Sequence, residues 1–85
     1  MKLKGELYFE EFINRFDSLS DEELIELFNK EVDNQGWGTA RASYLAAIHH
    51  EFIKRKFDYS EIGNEKELSF KHKVFLDNRE VKILK

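Results

Sequence analysis

The apolar residues of this 85-residue chain follow one spacing up to about residue 56 and another from Leu68 onward. In the first part they recur every three or four positions, which is the spacing of one face of a helix. From Leu68 they alternate with polar residues, as in a strand with one buried face. A chain of this size builds one hydrophobic core. We therefore predict a single α+β domain over residues 1–85, with three helices followed by an antiparallel β-hairpin at about 67–84 packed against them.

The three predicted helices cover about residues 6–16, 20–33 and 39–56. The second has the clearest start, because Ser20 and Glu23 have the spacing of a capping box, in which each side chain accepts a hydrogen bond from the backbone N–H of the other. The third is rich in alanine and ends in a basic triplet, which suits the negative end of a helix. The residues expected to face inward are Tyr8, Phe9, Phe12, Ile13 and Phe16 in the first helix, Leu24, Leu27, Phe28 and Val32 in the second, and Tyr44, Leu45, Ile48 and Phe52 in the third.

The predicted hairpin turns at Asp77-Asn78, a pair with turn-forming side chains. Pairing Leu76 with Val81 sets Val74 opposite Ile83 and gives one consistently apolar face, which we expect to pack on the helices. A hairpin alone is marginal in water and needs this support. The residues expected to alternate onto the inner face of the first strand are Leu68, Phe70, His72, Val74 and Leu76.

Charge is distributed unevenly along the chain, although the net charge is only −3. From Gly5 to Asp33 there are ten acidic residues against two basic ones, and from Lys71 to Lys85 there are five basic residues against two acidic ones. Such a split can mark a binding face. The favoured interpretation is less specific, namely solvated helix faces and a sheet edge protected by lysines.

Composition excludes several kinds of chemistry. The chain has no Cys, which excludes disulfides, thiolate metal sites and a cysteine nucleophile. The longest apolar run, Tyr44–Ile48, is far shorter than a membrane span. The two lysines near the N-terminus are not followed by an apolar stretch, so we expect no signal peptide. We predict a cytoplasmic protein without membrane contact.

The sequence His49-His50-Glu51 suggests metal or acid–base chemistry, but helix geometry argues against it. Adjacent helical residues point about 100° apart, so the two imidazoles cannot chelate one ion. We therefore predict no metal and no cofactor, with one histidine partly buried and the other exposed. Glu51 precedes Arg55 by four residues, which we interpret as a surface ion pair.

The start of the third helix offers a second candidate site. Backbone N–H groups at a helix start can bind an anion, and Trp37, Gly38 and Arg41 would line such a pocket. A Gly-x-Gly pair alone is weak evidence, because neither a dinucleotide site nor a phosphate loop accompanies it. The favoured alternative is structural, with Trp37 anchoring the preceding turn and Arg41 pairing with an acid of the second helix.

The hairpin face opposite the predicted core is the main functional candidate. It carries apolar residues among lysines on an open strand edge, which favours a non-enzymatic protein–protein interaction module that binds a partner or a second copy as a homodimer. The structural alternative is that Met1–Gly5 covers this face as a third strand through Leu3. The candidate interaction residues are Lys71, Lys73, Phe75, Lys82 and Leu84.

Two other functions remain open. Nucleic-acid binding would use the basic hairpin together with Lys54–Lys56, since lysines beside an aromatic ring can hold phosphates and stack bases. The acidic balance of the whole chain opposes it. An enzyme with a site around His49 and His50 comes third, because no pairing of nucleophile and base is evident.

Overall fold

The computed structural model describes residues 4–32, 34 and 39–85. It contains the helices α1 (Lys4–Phe16), α2 (Asp21–Glu31) and α3 (Thr39–Lys54), followed by the strands β1 (Val74–Asp77) and β2 (Glu80–Ile83). α1 packs against α3, and α2 packs against both α3 and β1. The predicted α+β architecture is confirmed, and each described helix end lies within two residues of its predicted position.

The capping box at the start of α2 is present as predicted. Glu23 N donates to Ser20 Oγ at 3.1 Å, and Ser20 N donates to Glu23 Oε1 at 2.9 Å. Together these bonds satisfy backbone N–H groups that a helix start leaves without partners. Only a short turn separates α1 from this helix start, so the end of α1 lies beside the start of α2.

The end of α3 explains why this helix is shorter than predicted. Lys56 has φ 60°, Lys56 N donates to Ile53 O at 3.0 Å, and Phe57 N donates to Phe52 O at 3.1 Å. This is a Schellman motif with lysine at the left-handed position that glycine usually occupies. The turn returns the chain to the core, where the Phe57 ring lies 5.6 Å from that of Phe52, centroid to centroid.

Aromatic rings from three parts of the chain form the centre of the core. The Phe28 ring of α2 stacks on Phe52 of α3 at 5.7 Å and on Phe70 at 4.5 Å. Ile25 and Ala47 are also buried, although the inward stripes predicted from sequence did not include them. The other apolar residues that are buried in the described part of the chain are Phe12, Phe16, Leu24, Val32, Ile48, Phe57, Tyr59, Ile62, Val74 and Val81.

The hairpin has the predicted register but shorter strands. Leu76 pairs with Val81 and Val74 with Ile83, while the turn residues are Asn78-Arg79, with φ of 49° and 70°. Positive φ at both positions is the conformation of a type I′ hairpin turn.

The predicted strand before Val74 is wrong. Leu68 forms an isolated bridge with Gly63, and Ser69 N donates to Ile62 O at 2.8 Å, so this segment pairs with the preceding loop instead of with β2. His72, expected on the inner face, is exposed.

Other parts of the chain hydrogen-bond to both edges of the hairpin. Beside β2, Val81 N donates to Asp58 O at 2.7 Å, and Ile83 N donates to Glu61 Oε1 at 3.0 Å. Beside β1, the side chain of Asn29 accepts from Val74 N and donates to Val74 O. An open strand edge was part of the sequence-based hypothesis, and at these residues the edges are occupied within the chain. The hairpin therefore presents its outer face more than its edges.

Arg55 forms the most extensive polar network among the described residues. It donates from Nε to Glu51 Oε1 at 2.9 Å, from Nη1 to Asp21 Oδ1 at 2.9 Å, and from Nη2 to the carbonyl oxygens of Phe16 and Leu19 at 3.0 and 2.8 Å. The side chains of Glu51 and Arg55 are 1% and 14% exposed. The prediction that these two residues form a surface ion pair is wrong: the pair lies inside the fold.

Lys56→Gly should stabilise the protein by about 0.5–1 kcal/mol. The left-handed conformation costs a side-chain-bearing residue about 1–2 kcal/mol, and the greater freedom of glycine in the unfolded chain offsets part of the gain. Urea unfolding measures the change. Lys56→Ala is the matched control, because it removes the same side chain and keeps the strained backbone. An equal gain in both variants would contradict this explanation.

Candidate functional site

Four of the five predicted interaction residues lie together on the side of the hairpin away from the core. Phe75 stands directly opposite Lys82, and Leu84 N donates to Lys73 O at 2.8 Å, which extends the ladder by one pair. Because side chains alternate along a strand, these four point away from the buried Val74 and Val81. We call Lys73, Phe75, Lys82 and Leu84 the hairpin outer face. Lys71 is exposed in the bend that precedes it.

Apolar surface remains exposed on the hairpin outer face. Phe75 is 41% exposed and Leu84 is 55% exposed. Lys82 Nζ lies 3.6 Å from both Asp77 Oδ2 and Glu80 Oε2, so its charge is partly matched near the turn. Lys71 and Lys73 form no ion pair with another described residue, so the uncompensated positive charge lies at the end of the hairpin away from its turn.

A cleft of about 570 Å³ lies where the turn between α1 and α2, the last turn of α3 and Arg79 meet. We call it the α3-end cleft. Arg55 forms part of its wall, and Lys54 Nζ bonds to Asp17 Oδ1 at its rim. This hydrogen bond lowers the pKa of Asp17 and raises the pKa of Lys54. Both side chains are about half exposed or more, so solvent screens the pair and limits its effect on stability.

The two histidines occupy different environments, as predicted. His49 is partly buried, with Nε2 3.0 Å from Tyr59 Oη and 2.9 Å from Asn64 O, and burial raises the pKa of Tyr59. His50 is exposed, with its ring edge-on to Phe9 at 5.8 Å. Among the residues that the structure describes, no group of three or more His, Asp or Glu side chains is placed to hold a metal ion.

Arg41 forms the predicted ion pair with an acid of α2. Its Nε lies 3.4 Å from Glu31 Oε1, and its Nη2 donates to Glu31 O at 3.4 Å. Burial, followed by the charge of Glu31, raises the pKa of Tyr44 nearby. Trp37 and Gly38 lie outside the described residues, so the anion pocket that they would form with Arg41 stays a prediction.

The basic triplet at the end of α3 does not present three free cations. Lys54 bonds to Asp17, and Arg55 is held by Glu51 and Asp21. Only Lys56 of the three is without an ion pair to another residue in the described part of the chain. The triplet therefore adds little to the nucleic-acid surface that the sequence suggested.

Sequence reasoning did not find the α3-end cleft. The cleft draws on three segments that are distant in sequence, and no motif joins them. One signal was present: Ile48, Glu51, Phe52 and Arg55 follow the three-and-four spacing of a single helix face, so a buried stripe through Ile48 and Phe52 also contains Glu51 and Arg55.

No described helix is both long enough and apolar enough to cross a membrane. Comparisons with protein-family models, curated proteins and solved structures found no match to this chain.

Lys54→Met should raise the pKa of Asp17 toward its ordinary value of 3.8, because the hydrogen bond that stabilises the carboxylate is lost. In the wild-type protein, a folded-state pKa below the unfolded one means that Asp17 contributes stability above about pH 4, and that this contribution disappears as pH falls through the folded value. NMR titration of the Asp17 carboxyl group measures the shift. An unchanged pKa in Lys54→Met would show that Lys54 does not cause it.

Proposed function

We propose that this protein is a non-enzymatic interaction module that binds an acidic protein surface through its hairpin outer face, with Lys71 at the margin. The observation that carries the proposal is the exposure of Phe75 and Leu84 beside lysines, while the opposite face of the same hairpin is buried. Apolar centres with a polar rim are typical of protein interfaces. The cysteine-free composition is compatible with a reducing compartment such as the cytoplasm.

Charge complementarity makes a second copy of the chain the first partner to test. The acids Glu22, Glu23 and Glu26 are exposed on α2, and like-charge repulsion disfavours packing of two lysine-bearing hairpin faces directly on each other. Contact between the hairpin of one copy and the acidic helices of the other pairs opposite charges. If this contact is made reciprocally, it gives a homodimer.

Nucleic-acid binding is the second candidate, supported by the position of Phe75 between Lys73 and Lys82. The ring could stack on a base while the lysines hold phosphates. The pairing of Lys82 with Asp77 and Glu80 weakens this alternative, as does the net charge of −3. An enzymatic role around His49 and His50 ranks below both, because the Nε2 of His49 is already engaged by Tyr59 and Asn64.

Phe75→Ser combined with Leu84→Ser should weaken self-association at least about tenfold, because the apolar centre of an interface carries most of its binding energy. Sedimentation equilibrium over a range of protein concentrations measures it. Leu7→Ser combined with Ile53→Ser is the matched control, since these helix residues are 53% and 48% exposed. Equal weakening by both pairs would count against the hairpin outer face.

Zero-length crosslinking of amines to carboxylates tests the geometry. In a mixture of ¹⁴N- and ¹⁵N-labelled protein, intermolecular crosslinks should join Lys71, Lys73 or Lys82 to acids of α1 or α2. If the protein is a monomer at all concentrations, a second copy is excluded as the partner. Binding of the labelled protein to a different, acidic protein would in that case still support the proposal that the hairpin outer face binds an acidic protein surface. A monomer that binds single-stranded oligonucleotides with a steep salt dependence would favour the nucleic-acid alternative.

A further inference from the structure

The α3-end cleft is bordered by two cationic residues in the left-handed region. Lys56 has φ 60° and Arg79 has φ 70°. Glycine is favoured at both positions, since one is the left-handed residue of a Schellman motif and the other is the second central residue of a type I′ turn. Side-chain-bearing residues held in such strained conformations cluster at functional sites.

Hydrogen bonds hold Arg79 at the end of α3. Its Nη1 donates to Arg55 O at 2.8 Å, and its own carbonyl accepts from Asp58 N at 2.8 Å. The Nε and Nη2 groups of Arg79 form no hydrogen bond with another described residue. This edge of a guanidinium offers two parallel N–H donors, which match the two oxygens of a carboxylate.

The charges that line the α3-end cleft are unbalanced by one positive charge, which one bound anion would neutralise. Its three carboxylates, Asp17, Asp21 and Glu51, are each paired with Lys54 or Arg55. Lys56 and Arg79 have no ion pair with another residue in the described part of the chain. Among the described residues that line the cleft, four cations against three carboxylates leave one positive charge, and both unpaired cations lie on the same cleft.

We propose that the α3-end cleft binds a carboxylate group, with the free edge of Arg79 donating to both oxygens and the Lys56 ammonium contacting the group from the end of α3. A single negative charge neutralises the lining, whereas a phosphate dianion would exceed it. The cleft volume is larger than a carboxylate needs, so the rest of the ligand has room beside it. The carboxylate belongs either to the C-terminus of a peptide or to a small organic acid. The site is separate from the hairpin outer face and does not depend on the proposed function.

NMR titration at constant ionic strength tests the site with a matched pair of probes, N-acetylglycine and N-acetylglycinamide, which differ in the carboxylate. The acid should shift the Arg79 Nε–H resonance and the backbone amides of Lys56 and Phe57, and the amide should not. Butyrate distinguishes the two sources: binding as tight as that of N-acetylglycine indicates a general organic acid, and weaker binding indicates a peptide terminus. Equal shifts with acid and amide would overturn the proposal.

Two variants separate binding from folding. Two substitutions, Lys56→Gly and Arg79→Lys, should each weaken N-acetylglycine binding about tenfold. We expect Lys56→Gly to be more stable than the wild type, and Arg79→Lys keeps the positive charge but loses the two parallel N–H donors of the guanidinium. Lys66→Ala removes an exposed lysine outside the cleft and should change the affinity less than twofold. The proposal would be contradicted if both cleft variants kept the wild-type affinity, or if Lys66→Ala lost as much affinity as they do. Either result would mean that N-acetylglycine is attracted only by the general surface charge. Urea unfolding of each variant verifies that it is folded.

Discussion

The guanidinium of Arg55 connects the helix ends that surround the α3-end cleft. It donates to a carboxylate of α3, a carboxylate of α2 and two carbonyl groups at the turn between α1 and α2. Its own carbonyl accepts a hydrogen bond from Arg79, which ties the hairpin turn to the same point. The side chain of Arg55 thus joins all three helices, and the backbone carbonyl of the same residue joins the hairpin to them. A rigid, planar donor set suits this role, because its bonds can be satisfied together in only one arrangement of the surrounding elements.

Such a network specifies geometry more than it adds stability. Burying an ion pair costs desolvation free energy that the attraction between the charges only partly repays. Glu51 shows the cost directly: its Oε2 is buried without a hydrogen bond, and Lys54 Nζ lies 3.7 Å from it, beyond hydrogen-bond distance. Apolar contacts such as the stacked rings of Phe28, Phe52 and Phe70 supply the stability. Arg55 determines how the helices that carry these rings meet, and the shape of the α3-end cleft follows from that.

The sequence predicted the features that depend on local periodicity. The three-and-four spacing identified the helices, and the Ser20–Glu23 pair identified the start of α2. The two-residue alternation predicted the register of the hairpin, and with it the face that exposes Phe75 and Leu84.

The features that could not be predicted depend on contacts between distant segments. A Glu–Arg pair four residues apart has the same pattern whether it is buried or exposed, so Glu51 and Arg55 were placed at the surface. The end of α3 could not be recognised from the sequence, because the left-handed position that ends this helix is occupied by Lys56 and not by glycine, the residue that usually marks a helix end. The alternation from Leu68 was real, but that segment pairs with its own loop.

The most direct test of the role of Arg55 is a double-mutant cycle measured by urea unfolding, with Arg55→Met, Glu51→Met and the double variant. We expect Arg55→Met alone to lower the free energy of unfolding by about 3–5 kcal/mol, because it removes the hydrogen-bonded partner of the buried Glu51 carboxylate and leaves only the more distant Lys54 ammonium. The double variant should recover a large part of this loss, because no unpaired charge then remains at position 51. Arg15→Met provides the comparison, since the Arg15–Glu11 pair is exposed and should be worth less than about 1 kcal/mol. A loss in Arg55→Met no larger than that in Arg15→Met, with no coupling to Glu51, would contradict the role given to Arg55.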